Sequence, residues 1–467
     1  MTDLPQHAAQ INTVLKYGDP STQYQEYFKL NWFTPYLFGY SLILMFATVF
    51  PVLISVKIGI SLALLGLPLG CYLLNKELGG KPEWNWIIFP TAMGYAFYWG
   101  FLNFIIAVPL VLFILYFTFR YLKSPSIQKM LGLILLVHFL FFSHGLLLFF
   151  TLVLCFIIIV QASDSLKSIF LNMIPYMSVI PVLSIWFFLT RSQEAQVSDQ
   201  LFIGNYGLHR VIEMFTQVLG QPPVPEYILL GAALFFIPFF LGAEFSKRFA
   251  DWIPFIFCSS VFIFLPMHFF GTGFLYPRFS ILLLPFFLLT LKKRKTSNTV
   301  FMQSIIIIFI IILLVIPIHN FLEFRREYQG FDRVLEELEP NQRILSMIFE
   351  RNSDYFQTPV YLHFPLWYQV EKEGIVDFNF SLFFPEIVRY RDKMKPSVSF
   401  NFEWNPGSFD WEHHEAYLYD YFIIRSPREI GSLLFNSKEK RVKLISHYGK
   451  WWLYENYLNH NIKGSVD

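Results

Sequence analysis

Apolar runs long enough to cross a bilayer fill the first two thirds of the chain. A membrane-spanning helix takes roughly 20 apolar residues, and such runs lie near 34–54, 58–75, 102–122, 168–190, 227–244, 252–270, 274–291 and 299–319. The block 130–161 is interrupted by Ser143-His144-Gly145 and reads as two short crossings around a polar break. Ten crossings are therefore expected. The stretch 84–100, WNWIIFPTAMGYAFYWG, holds Pro90 and two glycines and is too short to cross comfortably. It reads as a re-entrant or broken helix, which neighbouring protein must cover.

Past residue 320 the pattern changes: apolar runs shorten to strand length and charges become frequent. The period over 331–338 is helical, 343–349 and 421–425 read as buried strands, and 443–454 as one or two more. The predicted fold class is mainly α: a polytopic transmembrane helix bundle of about ten crossings plus a re-entrant segment, with a C-terminal extracytoplasmic α/β domain. The expected divisions are a first outer loop with an interfacial helix over 1–33, the bundle over 34–320 and the soluble domain over 321–467.

Composition supports this reading. The 467 residues are 55% hydrophobic and 15% charged, more apolar surface than one soluble core would bury. A formal charge of +2 is too small to suggest a nucleic-acid partner, so the placement of charge matters more than its sum. Lys57, then Arg120, Lys123 and Lys129, then Lys167, then Lys247-Arg248, then the 292–295 cluster fall in alternate connections. Basic short loops stay in the cytoplasm. The start of the chain, the loop 191–226 and everything after His319 are then expected outside. Cys71, Cys155 and Cys258 lie in apolar runs and read as packing residues.

Against this background the opening MTDLPQHAAQI is conspicuously polar. Asp3 could cap a helix, with Gln6 closing a capping box, Pro5 in the first turn, and Leu4, Ala8, Ile11 and Leu15 along one face of a helix lying at the membrane interface. A carboxylate in that place is also suited to act as base on a bound hydroxyl, with His7 assisting.

Several stretches together resemble the GT-C superfamily of polytopic glycosyltransferases, most nearly its bacterial inner-membrane members of undefined substrate. They are Asp3-Leu4-Pro5-Gln6-His7, Gly100-Phe101-Leu102-Asn103-Phe104, Ser143-His144 and Tyr276-Pro277-Arg278-Phe279. The resemblance implies that the first-loop acid, here Asp3, is a catalytic base or metal contact. It also implies a sugar donor on a polyprenyl-phosphate carrier, an unknown glycan or lipid acceptor, and a setting among membrane lipid in the inner membrane. Cofactor use stays open: a divalent cation could take part, but no clear ligand set supports one. Members of that superfamily carry a crossing ahead of the first outer loop, so a further hydrophobic span upstream of Met1 is expected.

Other candidates have a plain reading beside the chemical one. Arg278, with Tyr276 near it, sits beside the outer end of a crossing; it either snorkels to headgroups or grips the carrier phosphate, and its position near the surface expected for Asp3 favours the phosphate. His144 in the Ser-His-Gly break is a substrate-site or structural residue, Asn103 a sugar ligand or a helix-restart cap. His209, Arg210 and His268 either touch the donor or are surface residues, and His138 reads as buried and structural. His413-His414 are read as strand neighbours pointing to opposite faces, which argues against a shared metal. Two rival functions remain: a transporter or flippase of an amphipathic lipid, or a non-catalytic envelope scaffold.

Overall fold

The computed structural model describes residues 1–80, 82–190, 202–204, 206–269, 272–293, 299–383, 385–398, 401–436 and 441–457. Arg294 and Lys295 of the basic cluster and most of the first half of the loop 191–226 lie outside them. Within the described residues the chain packs as two units.

One unit, Phe33–Leu42 with Lys57–Ile316, is helical. Of its helices long enough to cross a membrane, Leu102–Lys123 is the most buried among the described residues. Gly66 and Gly70 of the helix Val52–Glu77 lie against this helix. A Cβ on either glycine would come within 2.9 Å of Pro109 or Leu112. Two small residues four apart let apolar helices approach closely, which replaces the missing hydrophobic drive inside lipid with packing. Cys71, Cys155 and Cys258 are buried free thiols.

Among the described residues four helices are long and apolar enough to cross a membrane: Val52–Glu77, Leu102–Lys123, Gly145–Ala162 and Gln303–Glu337. A fifth span exists if Leu166–Met177 and Ile180–Thr190, bent by 50° at their break, count as one. The expected ten crossings are not reached. Leu37–Ala47, Ile253–Phe264 and Ser280–Leu289 have 11, 12 and 10 residues. At about 1.5 Å per residue each covers roughly half of a hydrocarbon core about 30 Å thick. Run length alone overcounted because prolines and glycines break the runs into short pieces. The segment over 84–100 is broken as expected, into the turns Pro82–Ile88 and Pro90–Met93 and the short helix Tyr95–Trp99.

The other unit comprises Met1–Trp32, Ile43–Val56 and Pro317–Asp467. Its five-stranded sheet runs in the order Val442–Tyr448, Trp451–Asn456, Tyr421–Arg425, Arg343–Ile348, Ile375–Asp377. Arg343–Ile348 pairs in parallel with both neighbours, and the last two strands form an antiparallel hairpin. Tyr421–Arg425 is buried at every position, so its continuous apolar run reads correctly as a strand covered on both faces. The helix Gln329–Glu337 and the two strands of the hairpin match what the sequence suggested for 331–338 and 443–454.

The N-terminal helix Leu4–Leu15 belongs to this unit and is buried from Pro5 to Thr13. A helix lying along a bilayer interface would keep its polar face wet; here that face is spent on the domain. Gln6 Oε1 accepts from Phe380 N–H at 2.9 Å, and Gln10 Oε1 accepts from Val388 N–H at 2.8 Å. Asn12 donates to Gln369 O at 2.9 Å, and Gln369 donates to Thr13 Oγ1 at 2.9 Å. Each bond satisfies a buried group that would be costly to leave unpaired.

Candidate active site

Asp3 occupies the position before the Leu4–Leu15 helix, but its backbone is already helical (φ −87°, ψ −1°) and its side chain caps nothing. Capping needs an extended residue whose oxygen turns back over the first N–H groups. The expected capping box is therefore absent, with Gln6 bonded to Phe380 instead. The Asp3 carboxylate faces His363.

His363 precedes the turn Phe364–Leu366, which is anchored by Phe364 packing on Phe331 and Trp451. Glu403 lies in the turn Phe402–Trp404, held by Phe402 in the core beneath the sheet. The imidazole stands between the two acids. Its Nε2 is 2.7 Å from Glu403 Oε2, and its Nδ1 is 3.1 Å from Asp3 Oδ1. The Nδ1–H does not point closely enough at Asp3 for a hydrogen bond, so that contact is an ion pair. His7, one turn past Asp3, packs edge-on against Phe380 at 5.7 Å, and the same ring lies 5.3 Å from His363. Asp3 is 8% exposed and His363 4%.

Burial alone would push the His363 proton off. The charge of Glu403 and the contacts to both carboxylates outweigh it and raise the imidazole to about 10. His363 is thus an imidazolium at neutral pH. Burial raises Glu403 above the usual carboxylate range, and His363 opposes that rise. A protonated imidazole locked by one acid can orient the other, Asp3, whose carboxylate is the group able to take a proton from a hydroxyl brought to it. Both ring nitrogens are turned to carboxylates, and among the described residues no group of three His, Cys, Asp or Glu side chains is arranged to hold a metal.

The helical unit gathers three of the predicted residues. Asn103 sits in the first turn of Leu102–Lys123, with both side-chain polar atoms buried and without a hydrogen-bond partner among the described residues; Gly39 presses against its Oδ1. His144 is buried between the rings of Tyr36 and Phe104, 5.5 and 5.2 Å away, with Nδ1 also unpaired. Arg278 lies within electrostatic range of His144 and stacks on Phe101 at 3.7 Å. It donates to Gly273 O and Phe274 O at 3.0 and 3.2 Å. Those carbonyls are presented by Phe274, whose φ of +55° is strained for a residue with a side chain.

Of the remaining candidates, His268 touches that cluster, through Phe274 and Gly273. Arg210 is fully buried and donates to Ile263 O and Leu265 O at 2.5 and 2.8 Å, at the C-terminal end of Ile253–Phe264, where a cation suits the helix dipole. Tyr276 lies 3.8 Å beneath the Arg210 guanidinium and donates to Glu213 at 2.7 Å. His209 opens the helix His209–Thr216, and His268 stands 5.5 Å from the Phe274 ring. His138 is bonded to Ile134 O within its own helix. His413 and His414 lie in a turn and not in a strand, with His414 Nδ1 accepting from Asp410 N–H at 3.0 Å.

No family model matches the chain and no curated protein matches it. The site is read from its own chemistry. His363, Glu403 and Glu213 escaped the sequence reading: His363 and Glu403 stand singly in aromatic stretches, and only folding sets each of the three beside its partner.

Proposed function

We propose that this protein is a membrane glycosyltransferase that moves a sugar from a polyprenyl-phosphate carrier to a hydroxyl acceptor at the outer face of a bacterial inner membrane. The observation that carries the reading is the Asp3–His363–Glu403 array, a carboxylate held against an imidazolium with a sliver of exposure. Asp3 takes the proton of the acceptor hydroxyl as its oxygen attacks the anomeric carbon. The bond from that carbon to the carrier phosphate breaks, and its electron pair leaves with the phosphate. One displacement inverts the anomeric centre. His363 holds Asp3 in place, and His7 packs beside them.

Within the helical unit, taken by itself, Arg278 is the proposed phosphate ligand, its guanidinium steadied by the Gly273 and Phe274 carbonyls and the Phe101 ring. Asn103 and His144, whose unpaired polar atoms lie in the same unit, are the proposed ligands of the sugar hydroxyls. The test is to incubate purified protein with a panel of polyprenyl-phosphate sugars. Release of polyprenyl phosphate, with an inverted anomeric proton in the product by NMR, is expected. No release from any donor, or retained configuration, would refute the reading. Arg278→Lys should raise the KM for donor by about tenfold, because a point charge loses the two-pronged fit.

A further inference from the structure

The soluble-domain sheet has a switch in its order: from Arg343–Ile348 the chain goes first to Ile375–Asp377 on one side and later to Tyr421–Arg425 on the other. In sheets with parallel strands, ligands bind beyond the carboxyl ends of the strands at such a point. A cleft of about 500 Å³ lies there, lined by Arg425 at the end of its strand, Asp354 after the central strand, Glu327 and Arg333, and Lys450 in the hairpin. That volume fits a small organic ligand and exceeds what a bare phosphate needs.

Arg425 is the unusual element. It is 2% exposed and lies 3.6 Å over the Tyr361 ring. It donates to Glu350 O and stands 3.4 Å from Glu327, yet its Nε has no hydrogen-bond partner among the described residues. An arginine so deeply placed is costly unless its donors are used. Arg333 and Lys450 stand at the rim, Lys450 bonded to the Glu350 carboxylate, which lies 3.9 Å from Arg425 and which an incoming phosphate would have to displace, while Glu327 and Asp354 supply acceptors for hydroxyls.

We propose that this cleft binds a phosphorylated polyol, with the phosphate at Arg425, Arg333 and Lys450 and the hydroxyls at Glu327 and Asp354. Such a group could come from a soluble sugar phosphate or from a lipid headgroup. The proposal is independent of Asp3 and of the transfer reaction.

The test is binding by the purified full-length protein, followed by titration calorimetry. The probes are glucose 1-phosphate, a short-chain phosphatidylglycerol, inorganic phosphate and glucose. One phosphorylated polyol should bind at least about tenfold more tightly than inorganic phosphate or glucose, and which one it is identifies the source. The rim variant Arg333→Ala/Lys450→Ala, which leaves the buried Arg425 in place, should weaken that binding about tenfold or more with an unchanged melting temperature. Binding that survives the rim variant unchanged, inorganic phosphate as tight as both polyols, or no binding of either polyol at millimolar concentration would each overturn the proposal.

Discussion

Replacing His363 by Gln removes one positive charge from between two acids while keeping a side chain that can donate a hydrogen bond. The contacts of 3.1 Å to Asp3 and 2.7 Å to Glu403 are within direct reach. At an effective dielectric near 20 each is worth about 5–6 kcal/mol gross. Desolvation of three buried charges cancels much of this, and breaking such a pair by losing one partner costs about 3–5 kcal/mol. The pH dependence separates charge from packing. His363 is raised from an ordinary value of about 6.5 to about 10 in the folded protein. Its stabilisation is therefore complete below about 6.5 and is lost as pH rises through about 10. His363→Gln should thus lower the melting temperature most near neutral pH, and the gap to wild type should narrow toward pH 10, where wild-type His363 is itself losing its charge. Acid should narrow it too: burial raises Glu403, so protonating that group relieves the unpaired charge. Thermal unfolding of the purified protein, followed by tryptophan fluorescence across this range, is the assay. A gap that is constant with pH, or absent, would show that His363 is not the charged centre of the array.

Other consequences are simpler. Gln10→Ala should cost about 1–3 kcal/mol, since it leaves the Val388 N–H buried without its acceptor, and Gln10→Glu should cost no less, because it keeps that acceptor but buries a charge and loses the bond that Gln10 Nε2 donates to Ser381 Oγ; melting curves compare the two. Gly66→Leu or Gly70→Leu drives side-chain atoms into Pro109 or Leu112 and should destabilise the helix pair by about 1–3 kcal/mol, read as a lower melting temperature in detergent. Arg210→Ala should destabilise by about 2–3 kcal/mol because the carbonyls ending Ile253–Phe264 lose a cationic partner, with Arg210→Lys intermediate in the same measurement.

Sequence patterning reached the local elements better than their assembly. The strand Tyr421–Arg425 and the helix Gln329–Glu337 were legible because burial on both faces, or on one, imposes a distinct period. The number of spanning helices was not, since an apolar run looks alike whether it forms one helix or two short pieces joined at a proline. The N-terminal helix reads as interfacial because Leu4, Ala8, Ile11 and Leu15 line one face, and nothing local shows that its polar side chains Gln6, Gln10 and Asn12 are buried too. Their partners, Phe380, Val388 and Gln369, lie hundreds of residues away, beyond any local signal. Asp3 stood out because an acid is rare beside apolar runs. His363 and Glu403 did not, because nothing local marks a residue whose role depends on a contact made across the fold.

Whether Asp3 handles a proton separates a catalytic array from a structural one. Asp3→Asn keeps the shape of the side chain, removes its capacity to act as base, and loses no helix cap, because Asp3 caps nothing. The measurement is the turnover of purified wild type and Asp3→Asn with a polyprenyl-phosphate sugar donor, taken beside the melting temperature of each. Loss of a general base should lower kcat by about a hundred- to ten-thousand-fold in a variant that still folds. Equal turnover in two folded proteins would contradict the catalytic role of Asp3 and leave the Asp3–His363–Glu403 array as a structural ion pair.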